Sequence, residues 1–293
     1  MQNIRGYKIG TVPFTLSEQD GNGMIIMLTC VCDLNGFIDD ARLDYEVVAH
    51  SESGATYSID HGSIGTFQRM ESKEERQLYT YKNNEPLNVW DLFKKDVLQK
   101  DYITDKGGKF NIYVLAVDTG NFTYYANTFI DQCQELTIPY LTIGVKGDTE
   151  KVRRLNANTP RFKKSSEKTN LYLLDVNQLK DELADRIELK WDEGFGLMQP
   201  EGFMNFPESA DGKYQLKSYF SQFESEIKVQ ELNSDGSEIG HIWKKKHSTV
   251  KNHFWDIRVY TLAIRDIFVN LICKEADIKE PDWAKYIEIF KAK

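Results

Sequence analysis

The feature that most constrains this chain is a nine-residue stretch, Met24 to Cys32, that carries no charge and a single hydroxyl and stops at Asp33. An unbroken apolar run of this length suits a strand buried on both faces of a sheet. Asn35-Gly36 follows, a strong hairpin-turn pair. A carboxylate at the end of such a strand has two readings. It starts the turn, or it faces the crevice beyond the carboxyl ends of the strands, where open α/β sheets bind ligands.

The pattern occurs a second time. Phe110 to Asp118 is almost wholly apolar and again ends on aspartate, with Gly120 opening the exit. Between the two runs, 41–48 and 55–60 alternate apolar with polar residues, so the first three strands form an antiparallel meander. Val89, Trp90, Leu92, Phe93, Val97 and Leu98 have helical spacing. Thr123 to Leu136 is a helix with Tyr125, Phe129, Ile130, Cys133 and Leu136 on one face. Short strands follow at 139–145 and 171–174, then a charge-rich helix at 177–187.

The order is therefore βββαβαβα. A right-handed crossover lays the fourth strand parallel to the first and beside it. With neighbouring strands about 4.8 Å apart, Asp33 and Asp118 reach the same sheet edge. Carboxylates that close repel one another unless a cation holds them, and hard divalent ions take carboxylates together with water and phosphate. Asp256 supplies a third acid near the start of an otherwise apolar helix from about Asn252 to Cys273; the competing reading is a first-turn aspartate favoured by the helix dipole. Asn252 is the expected N-cap.

Residues 1–22 read as an extended lead-in or linker, and 23–293 as one domain. The stretch 190–212 is loop-like, punctuated by glycine and proline, and an auxiliary hairpin spans about 224–246. No apolar run reaches the roughly 20 residues that span a bilayer, and Met1 opens no signal peptide, so a cytoplasm is expected. Cys30 and Cys32 share one face of a strand, poor geometry for a disulfide; all four cysteines are expected to be reduced.

The net charge of -8 argues against a generic polyanion binder, but it is unevenly spread. Lys146 to Lys168 carries eight basic residues against three acidic ones, and Lys244-Lys245-Lys246-His247 with Lys251 forms a second cluster. Such runs are solvated loops or phosphate-backbone grips. Asp39, Asp40 and Asp44 are expected to be solvated, and Asp60-His61 to end the third strand as a turn rather than touch metal. His253 reads as a water-orienting or capping residue.

The ordered set of Tyr7-x-Ile-Gly-Thr-Val-Pro, Leu28 to Asp33, Leu115-Ala-Val-Asp118-Thr-Gly, Ile143-Gly-Val-Lys-Gly147 and Asn252 to Ala263 resembles the nuclease domain of the large terminase subunit of lambda-type tailed phages. That domain belongs to the ribonuclease H-like superfamily. The resemblance spans nearly the whole chain, with two departures. Asp33 is followed by Leu-Asn-Gly rather than valine and glutamine, and 149–170 is unusually long and basic. It implies an α/β fold with a mixed five-stranded sheet, three antiparallel strands then parallel additions, flanked by helices and carrying an inserted hairpin.

It further implies that Asp33, Asp118 and Asp256 hold two divalent ions, Mg²⁺ or Mn²⁺, for endonucleolytic cleavage of concatemeric double-stranded DNA in the host cytoplasm. Partners would be the ATPase motor domain, the small terminase subunit and the portal. The absence of Gly-x-x-x-x-Gly-Lys-[Ser/Thr] marks this chain as the nuclease half alone. In this light Lys146, Arg153, Arg154, Lys163 and Lys164, and the hairpin's Lys244, Lys245 and Lys246, become candidate DNA contacts.

Three other readings compete, one of them a scaffold that keeps the fold without the activity. The same fold and acids serve strand transfer and junction resolution. From a different class, Asp118-Thr-Gly-Asn-Phe-Thr123 mimics the phosphate loop of actin-like ATPases, although a second such loop is missing.

Overall fold

The computed structural model describes residues 4–36, 41–70, 76–148, 153–154, 161–165, 170–192, 198–209 and 212–292. A large mixed sheet runs through the molecule in the order Ile4–Lys8, Met204–Glu208, Thr56–Met70, Ala41–Ser51, Ile25–Asn35, Ile112–Asp118, Leu141–Gly147, Leu171–Leu174 and Phe162–Lys164. Arg76–Lys82 and Glu85–Asn88 extend it beside Thr56–Met70. The expected ribonuclease H-like order lies at its middle. Three antiparallel strands lead into Ile112–Asp118, which runs parallel to Ile25–Asn35 and is followed by two further parallel strands.

The sheet is wider than the five strands expected. The lead-in contributes Ile4–Lys8, which pairs in parallel with Met204–Glu208, a strand inside the stretch that reads as loop. Tyr7 is buried there and donates its hydroxyl to Ser58 O and Asn205 O. Thr56–Met70 runs fifteen residues, so Asp60 and His61 lie within the third strand rather than at its end.

Alternation along each strand sorts side chains onto two cores. One face packs against Val89–Phe93, the turn of π-helix Lys94–Leu98 and the helix Thr123–Cys133; the other packs against the long helix His253–Glu275. That helix is apolar nearly all round, with Ile257, Val259, Leu262, Ala263, Ile264, Ile267 and Phe268 buried. A helix buried on every side lies at the centre of a structure. Here it is held between the sheet and two outer helices, Val176–Glu188 and Trp283–Ala292. Among the described residues, no helix is long and apolar enough to cross a membrane.

Candidate metal centre

The central strand Ile25–Asn35 is buried along its whole length. Cys30, Cys32 and Leu34 belong to the core under Thr123–Cys133, whereas Val31 belongs to the core under the long helix. Alternation therefore turns Asp33 and Asn35 toward the long helix. On Ile112–Asp118 the same parity puts Leu115 and Val117 on one side and Val114, Ala116 and, one step on, Asp118 on the other. Val117 pairs with Cys32, so Asp118 comes alongside Asp33. Asp256, in the first turn of His253–Glu275, joins them from above.

The electrostatics register this proximity. Burial raises the Asp33 carboxyl well above the usual range, and the charges of Asp118 and Asp256 raise it further. Asp118 is pushed up to about 6, by burial first and also by Asp256, against the lowering effects of Gly120, Tyr260 and Lys146. Asp256 is raised by burial and drawn back by the Lys180 ammonium.

Each acid also has donors of its own. Asn35 Nδ2 donates to Asp33 Oδ2 at 2.7 Å. Gly120 N–H donates to Asp118 Oδ1 at 2.7 Å, and the Tyr260 hydroxyl to Oδ2 at 3.3 Å. Asn252 Nδ2 lies 2.6 Å from Asp256 Oδ2, while Lys180 Nζ lies 3.1 Å from Asp256 Oδ1 and 2.7 Å from Glu226 Oε2. Among the described residues, no group of three or more His, Cys, Asp or Glu side chains is gathered closely enough to hold a metal ion. The donor set thus suits a hard cation in kind.

Several residues of this region were not legible in the sequence. Asp44, expected to be solvated, is only 1% exposed. It sits opposite Asp33 and is bound by Arg42 at 2.9 Å, by Asn35 and by the Ser63 hydroxyl. The polar face of its strand is covered by the long helix, whose Arg258 reaches the buried Glu46 at 3.4 Å. Tyr260 follows Asp256 by four residues, the helical spacing that brings both to one face. Asp39 and Asp40 lie outside the described residues.

Asp60 is paired with Lys213 at 2.6 Å, and His61 is stacked on Tyr219. Asn252 precedes the helix as expected, but its side chain makes no capping bond and serves Asp256 and Glu226 instead. The His253 imidazole is pushed down to about 4 by burial and by Arg42, Lys245 and Lys251.

The basic candidates divide. Lys146 is exposed on Leu141–Gly147 and acts on Asp118; Lys245 acts on Asp256. Arg153–Arg154 forms a short strand paired antiparallel with Glu238–Lys245, itself paired with Glu226–Leu232. The two basic segments of the sequence therefore meet in one three-stranded sheet. Lys244 is bound to Glu231 at 2.7 Å, and Lys246 is exposed beyond the strand end. Lys163 and Lys164 lie on the edge strand Phe162–Lys164, with Lys163 paired to Asp148 at 2.7 Å.

A model of the terminase large subunit gpA endonuclease domain matches residues 1–275. Among solved structures, the chain is similar to the nuclease domain of g2p, the large terminase of bacteriophage SPP1, crystallised with bound Mn. That likeness has 11% identity and a TM-score of 0.36, over 89% of this chain and 96% of that one. No curated protein matches the sequence.

Proposed function

The chain belongs to the family of terminase large subunit gpA endonuclease domains, and from that premise we propose that it is a metal-dependent endonuclease. It would cut concatemeric double-stranded DNA during genome packaging, with little sequence preference. The observation that carries this reading is the set of three carboxylates, Asp33, Asp118 and Asp256, on one side of one sheet edge, Asp33 raised by both of the others and Asp118 by Asp256. A protein that buries like charges together has use for a cation there.

Asp33, Asp118 and Asp256 would hold two divalent ions, Mg²⁺ or Mn²⁺, which when bound supply an activated water and stabilise the leaving 3′ oxygen. The chain's own part is positional. The fully buried central strand fixes where Asp33 points, Gly120 and Tyr260 orient Asp118, and Lys180 with Asn252 orients Asp256. Lys146, Arg153, Arg154, Lys163, Lys164 and Lys244 to Lys246 are the proposed backbone contacts, which position a duplex without reading its sequence. The motor ATPase domain, the small terminase subunit and the portal are the proposed partners, in the host cytoplasm.

The test is conversion of supercoiled plasmid to nicked and linear forms by the purified chain in Mn²⁺ or Mg²⁺, abolished by EDTA and by Asp118→Asn. Undiminished cutting by that variant overturns the site. Strong preference for branched over linear DNA would move the assignment to junction resolution.

A further inference from the structure

A cavity of about 690 Å³ opens beside the strand Thr56–Met70, and Lys251 of the second basic cluster lines it. Its walls come from the strand Thr56–Met70, the segment 212–222 and the approach to the long helix, including Lys213, Lys217 and Lys251 together with Ser63, Ser218 and Ser221. Among the described residues, no aspartate or glutamate lines it, in a chain whose net charge is -8. Lys213 is tied to Asp60, whereas Lys217 and Lys251 present exposed side chains at the rim. The cavity is joined to the acids by a short relay: Ser63 donates to Asp44, and Asn35 donates to Asp44 and to Asp33.

We propose that this cavity binds a backbone phosphate of the DNA flanking the cleaved bond, with Lys217 and Lys251 as its cationic grips and the Ser218 hydroxyl as a donor to the phosphate oxygens. The proposal rests on the nuclease reading. Two exposed ammonium groups with a hydroxyl beside them are the donor set of a phosphodiester contact, which positions a duplex regardless of sequence. Position favours duplex over a free anion, because the hydrogen bonds from Ser63 through Asp44 and Asn35 lead to Asp33.

The experiment compares wild type with the Lys217→Ala/Lys251→Ala double variant, measuring affinity for labelled duplexes of unrelated sequence across a salt series in EDTA. The dependence of log K on log salt is expected to become shallower by about 1 for each lysine lost, with affinity falling alike on every sequence. Lys217→Arg/Lys251→Arg is expected to restore the wild-type slope. An unchanged slope and affinity in the alanine variant overturns the site, as does calorimetric binding of inorganic phosphate with no change in duplex affinity. Plasmid cleavage by the wild-type chain in Mn²⁺ is scored separately. If wild type binds duplex through these lysines yet never cuts, the nuclease reading falls and the phosphate site stands.

Discussion

Asp33 and Asp44 stand directly opposite each other across the ladder between Ile25–Asn35 and Ala41–Ser51, and a single amide, Asn35 Nδ2, donates to both. Like charges at directly opposed positions destabilise a sheet. Arg42 and the Ser63 hydroxyl satisfy Asp44 from its other side, so the shared amide matters most to Asp33.

Asn35→Ala takes that donor from two buried carboxylates at once. Losing the partner of a buried polar group costs about 1–3 kcal/mol, and a loss of that size is expected here. It is read as a lower urea midpoint at unchanged m-value.

Asp118→Asn separates activity from stability. Cleavage of supercoiled plasmid in Mn²⁺ should fall by more than about 100-fold, beyond the 10–100-fold typical of residues that merely support metal ligands. The metal-free variant should melt higher than wild type, because it no longer buries a charge raised by burial and by Asp256. Calorimetric melting in EDTA checks the second half.

The pH dependence of the metal-free protein follows from the same group. Asp118 titrates at about 6 in the folded chain against 3.8 without its surroundings. The native state therefore binds more protons than the unfolded state in that interval, and stability falls as pH rises through it. The contribution is complete below about 3.8 and gone above about 6. Urea unfolding between pH 4 and 7 in EDTA should show this decline, and Asp118→Asn should make it shallower, the raised Asp33 and Asp256 carboxyls contributing the remainder.

Lys180→Met removes the cation shared by Asp256 and Glu226. Stranding one side of a buried ion pair costs about 3–5 kcal/mol, and unfolding of the variant should register a loss of that order. Adding Asp256→Asn should recover part of it, a coupling that a double-mutant cycle measures directly.

The acids were legible because a buried strand announces itself by an unbroken apolar run, and Asp33 and Asp118 end two of them. Asp44 was not, because its alternating strand looks half-exposed when the covering surface is itself polar. On the same face of that strand Glu46 meets Arg258 of the long helix, more than two hundred residues away in sequence. Tyr260 was hidden for another reason: an aromatic at helical spacing reads the same whether it fills a core or donates to a carboxylate. Met204–Glu208 was lost among glycines and Pro207, punctuation that normally marks loops. Its place in the sheet depends on distant partners, Ile4–Lys8 and Thr56–Met70.

Among the described residues, the short strand Arg153–Arg154 has its ladder with Glu238–Lys245. The hairpin is in turn fastened to the helix Val176–Glu188, where Trp243 N–H donates to Asn177 and its indole to Asp181. Two arms that lie some ninety residues apart in the chain are thus one inheritable part. A chimera that swaps the hairpin for another family member's must import the arginine segment with it, or leave both with open ladder edges.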